Sequence, residues 1–418
     1  MAAKKKVTKK ATAKKVAKKT TKKVAKKVTK VVAKKPGKKR TVGPAEKIGT
    51  KDLKSVALIS IEEVANDVYQ EARKGRLPQM SMPQRNLANV TYDPKRGYFE
   101  LKGNMKTRTL DVNSVKTFAQ TLRLMSLAQD MVGDDDFATK REAYYVSKNW
   151  GEAKFNEQRE SDTVLDDIEG MFSVKDVTRE ILRFVPEEHG GSVVGALTVI
   201  DRDPETHEPI RSDCAAMGSG AYTVPSSVDH LGFETTAEFI LAIETGGMFQ
   251  RLNHHRYWRT ANCILVEMGG VPTRATRRFV RRLAEGLKLP VYAFVDCDPY
   301  GICNIYRTLK VGSGQAAHVN KRFCVPTASY LGVTPQDITD FGLEDATHPL
   351  LPVDIKRAKD ALKNDPFFQA YPKWKKTLKQ MLKMGVRAEQ QAFAKWGLNF
   401  VIEEYLPVKI KQAKNFLP

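Results

Sequence analysis

Three runs decide the fold: FILAIETGGMFQRL (239–252), CILVEMGGVPTRATRRFVRRL (263–283) and VYAFVDCDPYGICNIY (291–306). Each opens on an apolar segment of strand length: Phe239–Ile243, Cys263–Val266 and Val291–Val295. A basic helix over Thr273–Lys288 separates the second from the third. Strands alternating with helices predict an α/β fold built on a parallel sheet. Each apolar segment also ends in an acid: Glu244, Glu267, and the pair Asp296 and Asp298. Ligands of open parallel sheets gather at the carboxyl ends of strands, and carboxylates there can share a hard cation such as Mg²⁺. Asp296 and Asp298 are two apart, so an extended strand aims both the same way, and Pro299-Tyr300-Gly301 stops the strand sharply. Taken alone, the Asp-Cys-Asp triplet reads more simply as a capped loop before the segment Gly301–Lys310. A third acid on a neighbouring strand tips the balance to metal binding. The pattern by itself does not choose between Glu244 and Glu267.

Upstream, glycines at 190, 191, 195, 218, 220 and 232 space short β-like runs such as Val193–Ile200. Before them the chain reads as helical. A helix is predicted over Ile61–Lys74, with Val64, Ala65, Val68 and Ala72 at helical spacing. A hairpin follows, Asn89–Leu101, turning at Asp93–Gly97. Further helices are predicted at Val115–Val132, Thr139–Ser147, Thr163–Phe172 and Lys175–Arg183, the last two split at Ser173. Helices with one short hairpin fit a winged-helix (CAP-like) module. The expected organisation is a tail over 1–48, the winged-helix module over 49–188, and an α/β domain over 189–418. From about Asp354 that domain carries a Lys-rich helical extension.

The formal net charge is +22. Residues 1–40, with their KKVTKKATAKKVAKKTTKKVAKK repeat, hold 19 Lys or Arg and no acid; the rest of the chain has 51 basic and 48 acidic residues. A segment so charged, with only Ala and Val as apolar partners, is expected to be disordered and to grip polyanions through counterion release. The chain has no stretch apolar enough to span a bilayer and no signal-peptide core. Its five cysteines form no CxxC pair, which suits a reducing, intracellular compartment: cytoplasm and nucleoid, or a nucleus.

One candidate nucleophile lies upstream. Arg141-Glu-Ala-Tyr144-Tyr145 falls on a short predicted helix. A tyrosine hydroxyl, pKa near ~10, attacks phosphate only with help. Arg141, four residues before Tyr145, shares its helical face and could hold a phosphate bidentately as charge develops. On pattern alone, a tyrosine pair on a helix is ordinary packing.

The three strand runs resemble the Toprim domain of the topoisomerase VI A subunits and their meiotic double-strand-break relatives. TKREAYYVSK (139–148) resembles the catalytic-tyrosine motif of that type IIB family. The runs FNEQRESDTVLDDIE (155–169), GSGQAAHVN (312–320), DIKRAKDAL (354–362) and RAEQQAFAKWGLNFVIEEYLPVKI (387–410) are similar too, so the resemblance covers about residues 50–418. It implies Tyr145 as the nucleophile, with Tyr144 packing beside it, and Glu244, Asp296 and Asp298 as the Mg²⁺ ligands. It also implies a homodimer that cuts both strands of duplex DNA through 5′-phosphotyrosyl bonds and reseals them after strand passage. Val311-Gly-Ser-Gly-Gln lacks the Lys-Ser/Thr of a phosphate-gripping loop. ATP is therefore expected on a separate GHKL-type B subunit, in an A2B2 assembly.

The sequence departs from the family pattern after the second strand. Gly-Lys-Gly-Tyr-Pro-Asp is replaced by Met268-Gly-Gly-Val-Pro-Thr273, which removes the lysine and the acid. Glu267, where the family has no catalytic acid, is expected to be structural or hydrogen-bonding. Two alternatives remain open at this level: a break-maker that does not reseal, and a non-catalytic DNA-binding protein.

In the basic helix, Ala275, Phe279, Leu283 and Leu287 make an apolar stripe. Arg274, Arg277, Arg278, Arg281 and Arg282 are then expected to point outward, either solvated or on DNA phosphates. His254-His255 and Trp258 are read as packing or DNA contact rather than a metal site, since adjacent residues face different sides of a helix. Deleting residues 1–40 is expected to weaken DNA binding and flatten its salt dependence while leaving the fold intact. An unchanged slope of log affinity against log salt would exclude the tail as a DNA contact.

Overall fold

The computed structural model describes residues 37–45, 52–186 and 190–418. The chain opens with β1 (Arg40–Val42) and α1 (Leu53–Arg73), then β2 (Gln79–Pro83), the hairpin β3 (Val90–Tyr92) and β4 (Phe99–Leu101), and β5 (Met105–Thr109). Helices α2 (Val115–Gly133), α3 (Lys140–Val146) and α4 (Gln158–Phe172) follow; the two-residue strands β6 (Ala138–Thr139) and β7 (Phe184–Val185) pair in parallel. One core fills this half: Ala57 and Ile61 of α1, Phe118, Leu124 and Met125 of α2, and Val164, Leu165 and Ile168 of α4, with Met80 and Met82 of β2. The hairpin β3–β4 does not join that core. Val90 and Phe99 are buried in the second one, and the Phe99 N–H bonds the Val311 carbonyl at 3.1 Å.

The second half holds two sheets. Strands β8 (Ser192–Gly195), β9 (Leu197–Arg202), β10 (Pro209–Asp213), β11 (Tyr222–Thr223) and β12 (Gly232–Thr235) precede the runs that open the sequence reading. Those runs become β13 (Phe239–Ile243), β14 (Cys263–Glu267) and β15 (Val291–Phe294), joined by β16 (Ala328–Gly332). The main sheet is ordered β11-β8-β14-β13-β15-β16. Its strands β14, β13, β15 and β16 run parallel, while β8 and β11 add an antiparallel edge. Every residue of β13 is buried, as expected for a strand covered on both faces. The predicted β-run Val193–Ile200 is split between the two sheets. At the split Gly195 has φ +123°, and a Cβ there would lie 2.4 Å from the Cys263 carbonyl oxygen, so only glycine fits. Helices α5 (Gly246–His254), α6 (Tyr257–Ala261) and α7 (Arg274–Gly286) follow β13 and β14. Beyond β16 come β17 (His348–Pro349), α8 (Pro352–Asn364), α9 (Pro372–Met384) and β18 (Val386–Arg387). Among the described residues no helix is long and apolar enough to cross a membrane.

Three expectations are corrected. The tail does not extend to residue 48 throughout. Its residues 1–36 and 46–48 lie outside the described part, but β1 pairs antiparallel with β12 in the sheet β1-β12-β9-β10. Lys39 pairs with Glu234 at 2.9 Å, and the Ala45 N–H reaches the Asp229 carbonyl at 2.6 Å. A free strand edge overrode the local charge pattern. Second, residues 175–183 form no helix beyond a single turn at Ser173–Lys175. The Arg179 N–H is taken by the Glu169 carboxylate at 2.8 Å instead of a helical carbonyl.

Third, the α7 arginines do not point outward. Phe279 and Leu283 are buried as the stripe requires, but Arg277 and Arg282 are buried as well. Arg274 grips Glu169 of α4 with both terminal nitrogens, at 2.7 and 2.6 Å, and also reaches Glu180 at 3.2 Å. Arg278 pairs with Asp229 at 2.8 Å. Arg281 donates to the Cys324 carbonyl at 2.9 Å, and Arg282 to the Gly43 carbonyl at 2.7 Å. Arg277 lies beside the Cys324 thiol, where burial pushes its guanidinium pKa down. The periodicity located the apolar stripe, but loops cover both of its flanks.

Two outcomes follow from this packing. Truncation through residue 45 removes β1 and the Arg282 acceptor, and is expected to lower stability by roughly 1–3 kcal/mol, the usual cost of stranding buried donors. A cut ending at residue 36 spares β1, so comparing the two melts checks the boundary. Arg274→Ala removes the bidentate partner of the buried Glu169 charge and leaves it only His318 and the Arg179 N–H, with an expected loss of about 3 kcal/mol in urea unfolding. A surface DNA contact at Arg274 would leave unfolding unchanged.

Candidate active site

Parallel pairing of β13 with β15 sets the acidic strand ends side by side. Ile243 registers with Phe294, so Glu244 and Asp296 emerge from neighbouring strands. The Asp296 N–H donates to Glu244 Oε2 at 2.8 Å. Asp298 turns into the following loop, where its Oδ1 accepts the Gly301 N–H at 2.6 Å. Gly301 is required at this point: a Cβ there would be 2.8 Å from Val295 and 3.3 Å from Glu244 Oε2. The structure thus brings Glu244, Asp296 and Asp298 to one end of the sheet. Asp298 also serves the capped-loop role that the simpler reading gave it.

The charges are poorly compensated. Burial, then the neighbouring Asp296 carboxylate, pushes the Glu244 pKa up to about 8. Burial likewise lifts Asp296 to about 6, against the Gln390 N–H that favours its charged form. Asp298 is raised by burial, partly offset by the Gly301 N–H. Among the described residues none of the three carboxylates has an ion-pair partner. Crowded, desolvated carboxylates of this kind are relieved by a cation. Among the described residues no three His, Cys, Asp or Glu groups converge as a ready cage.

Glu267 is placed differently. Its Oε1 would be 2.6 Å from a Cβ at Gly246, so it lies against the first residue of α5, whose N-terminus favours a negative neighbour. The sequence reading gave no role to the strap that closes the site. Ala388 exchanges backbone hydrogen bonds with Cys297, at 2.8 and 3.1 Å. The Gln390 N–H donates to Asp296 Oδ1 at 2.8 Å and its side-chain amide to the Phe294 carbonyl at 2.6 Å. Thr245 completes the link, its hydroxyl donating to Gln390 Oε1 at 3.1 Å. The run RAEQQAF held the residues, but no spacing marks a backbone N–H as a carboxylate holder.

Tyr145 lies on α3, which starts with a reciprocal cap: Thr139 Oγ1 accepts the Glu142 N–H at 3.1 Å, and Glu142 accepts the Thr139 N–H at 2.7 Å. The Tyr145 side chain is 57% exposed and packs edge-on against Tyr144, centroids 5.4 Å apart. Tyr144 is tied down, donating to the Asn156 carbonyl at 3.0 Å and accepting from Lys148 at 2.7 Å. Among the described residues no hydrogen bond holds the Tyr145 hydroxyl. Arg141 is also exposed. No hydrogen bond or ion pair within the described chain links Tyr145 or Arg141 to the acids. Elsewhere, His254 and His255 stack edge-on at 5.3 Å on the surface, and Trp258 is buried, its indole donating to Asn253 at 3.3 Å.

Three family descriptions match in register with this architecture. "Type IIB DNA topoisomerase" matches residues 116–181, and "All-beta domain in DNA topoisomerase VI alpha subunit" matches 187–237. The Toprim domain of the topoisomerase 6 A subunit and Spo11 matches 239–410. The A subunit of type 2 DNA topoisomerase 6 from Methanocaldococcus jannaschii is 52% identical over 369 residues, 88% of this chain and 98% of the relative. The protein of the same name from Methanothermobacter thermautotrophicus is 36% identical over 364 residues, covering 87% and 99%. That from Pyrococcus horikoshii is 34% identical over 387 residues, covering 89% and 97%. With both cores, the acidic strand ends and the exposed tyrosine inside the matched regions, the chain belongs to the family of topoisomerase VI A subunits.

Proposed function

We propose that this chain is the DNA-cleaving subunit of an ATP-dependent type IIB topoisomerase, with Tyr145 as nucleophile and Glu244, Asp296 and Asp298 as a Mg²⁺ site. The observation that carries the reading is the pairing of an untethered, exposed tyrosine hydroxyl with a cluster of uncompensated carboxylates elsewhere on the same chain. The Tyr145 oxygen forms a bond to a backbone phosphorus and the bond to the 3′-oxygen breaks. The products are a 5′-phosphotyrosyl link and a 3′-hydroxyl; the tyrosine proton passes to solvent and the leaving oxygen is protonated. The exchange of one phosphodiester for another conserves bond energy, so the 3′-hydroxyl can reverse it. Arg141, one helical turn before Tyr145, neutralises charge on the phosphate oxygens. A bound Mg²⁺ supplies stabilisation of the 3′-oxygen and phosphate charge.

Among the described residues no bond joins Tyr145 to the acids, which fits composite sites in which a homodimer presents each tyrosine to the other protomer's carboxylates. A GHKL-type B subunit completes an A2B2 assembly and hydrolyses the ATP. Such an enzyme works on chromosomal duplex DNA in the cytoplasm, or in a nucleus.

Covalent trapping tests this reading. With cognate B subunit, ATP, Mg²⁺ and end-labelled duplex, rapid denaturation is expected to yield a DNA adduct mapping to Tyr145. Tyr145→Phe and Glu244→Ala should both reduce it to background. An adduct on another residue, or one that survives Tyr145→Phe, overturns the assignment; cleavage without relaxation or decatenation overturns resealing.

A further inference from the structure

Helix α9, PKWKKTLKQMLKM, has one face fully accounted for and one that is not. Trp374, Leu378 and Met381 are buried, a stripe at i, i+4 and i+7 that fixes the helix to the body. Lys373, Lys376, Lys379 and Lys383 are exposed on the other side. The helix contains no Asp or Glu, and among the described residues none of these four lysines makes an ion pair.

Fold stability gives no reason for this row. Like charges three and four residues apart repel along a helix. Lys373, Lys375 and Lys376 sit in the first turns, where the helix dipole favours acids. The adjoining helix α8 adds exposed Lys356, Lys359 and Lys363, with Asp360 as its one exposed acid. The contrast with α7 is direct. Every α7 arginine is turned inward toward carboxylates, carbonyls or a thiol of the protein itself, whereas the α9 lysines have no internal partner among the described residues.

The helix that carries the row leads directly along the chain to the strap that holds Asp296. Helix α9 ends at Gly385 and runs straight into β18 and Ala388, whose backbone pairs with Cys297 between the two aspartates. Two residues later Gln390 holds Asp296. The helix of 13 residues carries its cations back from that strap over about 20 Å. A duplex presents one negative charge per about 1.7 Å of its axis, so a row of this length faces on the order of ten phosphates. Lysines are hydrated point charges without the fork that reads base edges, which suits backbone contact. Trp374, the aromatic that would stack an unpaired base, faces the core, so the surface fits duplex rather than single-stranded DNA.

We propose that the exposed lysine face of α9 is a backbone-binding surface for duplex DNA adjoining the cleavage site. It rests on the DNA-cleavage reading above. The test compares the full-length chain with a variant carrying Lys373→Gln, Lys376→Gln, Lys379→Gln and Lys383→Gln, and with its all-arginine counterpart. Binding of a blunt duplex is titrated against salt, and Tyr145 adducts are trapped in the A2B2 complex in parallel. The glutamine variant is expected to melt no lower than the wild type, since only repulsion has been removed. Its slope of log affinity against log salt should fall by roughly 2–4, at about 0.9 for each phosphate no longer neutralised, and the arginine variant should keep the wild-type slope. An unchanged slope in the glutamine variant overturns the surface, whatever the wild type does with Tyr145. The expected slope difference without any adduct instead overturns the cleavage reading and leaves the surface standing. Equal losses for single-stranded and duplex DNA overturn the duplex assignment.

Discussion

The two halves of this protein are joined by a largely buried charge pair. Glu169, at the end of α4, has no exposed side-chain surface, and Arg274, at the start of α7, has one-tenth of its own. Burial alone would drive the Glu169 carboxyl to its neutral form. Arg274 and His318 together hold its pKa well below the ordinary carboxylate range. His318 Nε2 lies 3.0 Å from one carboxylate oxygen, and the Arg179 N–H occupies the other. Because the carboxylate is saturated from both halves, neither half can move without stranding a charge in a dry interface. Helix α4 packs on α3, which carries Tyr145, and α7 follows the strand beside the acidic cluster. The pair therefore sets where Tyr145 stands relative to the sheet.

The sheet performs the opposite task. It concentrates negative charge at its carboxyl end and leaves it uncompensated. Backbone N–H groups of Asp296, Gly301 and Gln390 orient three carboxylates without neutralising them. Burial raises the pKa of all three carboxyls, so a cation placed among them would relieve the crowding and favour their charged forms. Tyr145 differs from its neighbour: Tyr144 takes the anchoring bonds, and no hydrogen bond among the described residues holds the exposed Tyr145 hydroxyl.

Positive charge is divided by residue type. Arginines, with planar forks suited to bidentate pairs, staple α7 to the helical half, to Gly43 and to the loops around it. Lysines line the outer face of α9. Counting basic residues along a helix treats the two alike, and only the presence of internal acceptors separates them.

The strand runs, the acids at their ends and the apolar stripe of α7 were all legible in the sequence, because periodicity and strand termination are local properties. The motifs that carry the family resemblance also singled out Tyr145, Glu244, Asp296 and Asp298 as the proposed site, and the structure sets the three acids at one end of the sheet. What the sequence could not express were pairings between distant segments. Residues 40–42 read as part of a charged tail, yet they complete a sheet by pairing with residues 233–235. Residues 175–183 read as a helix, yet the Glu169 carboxylate claimed one of its N–H groups. Arg274 and Arg277 read as surface cations until the loops and α4 closed over them. Gln390 carried no signal, since its contribution to Asp296 is a backbone N–H that any residue but proline possesses. In each case a hydrogen bond or ion pair with another segment of the chain outweighed the local preference.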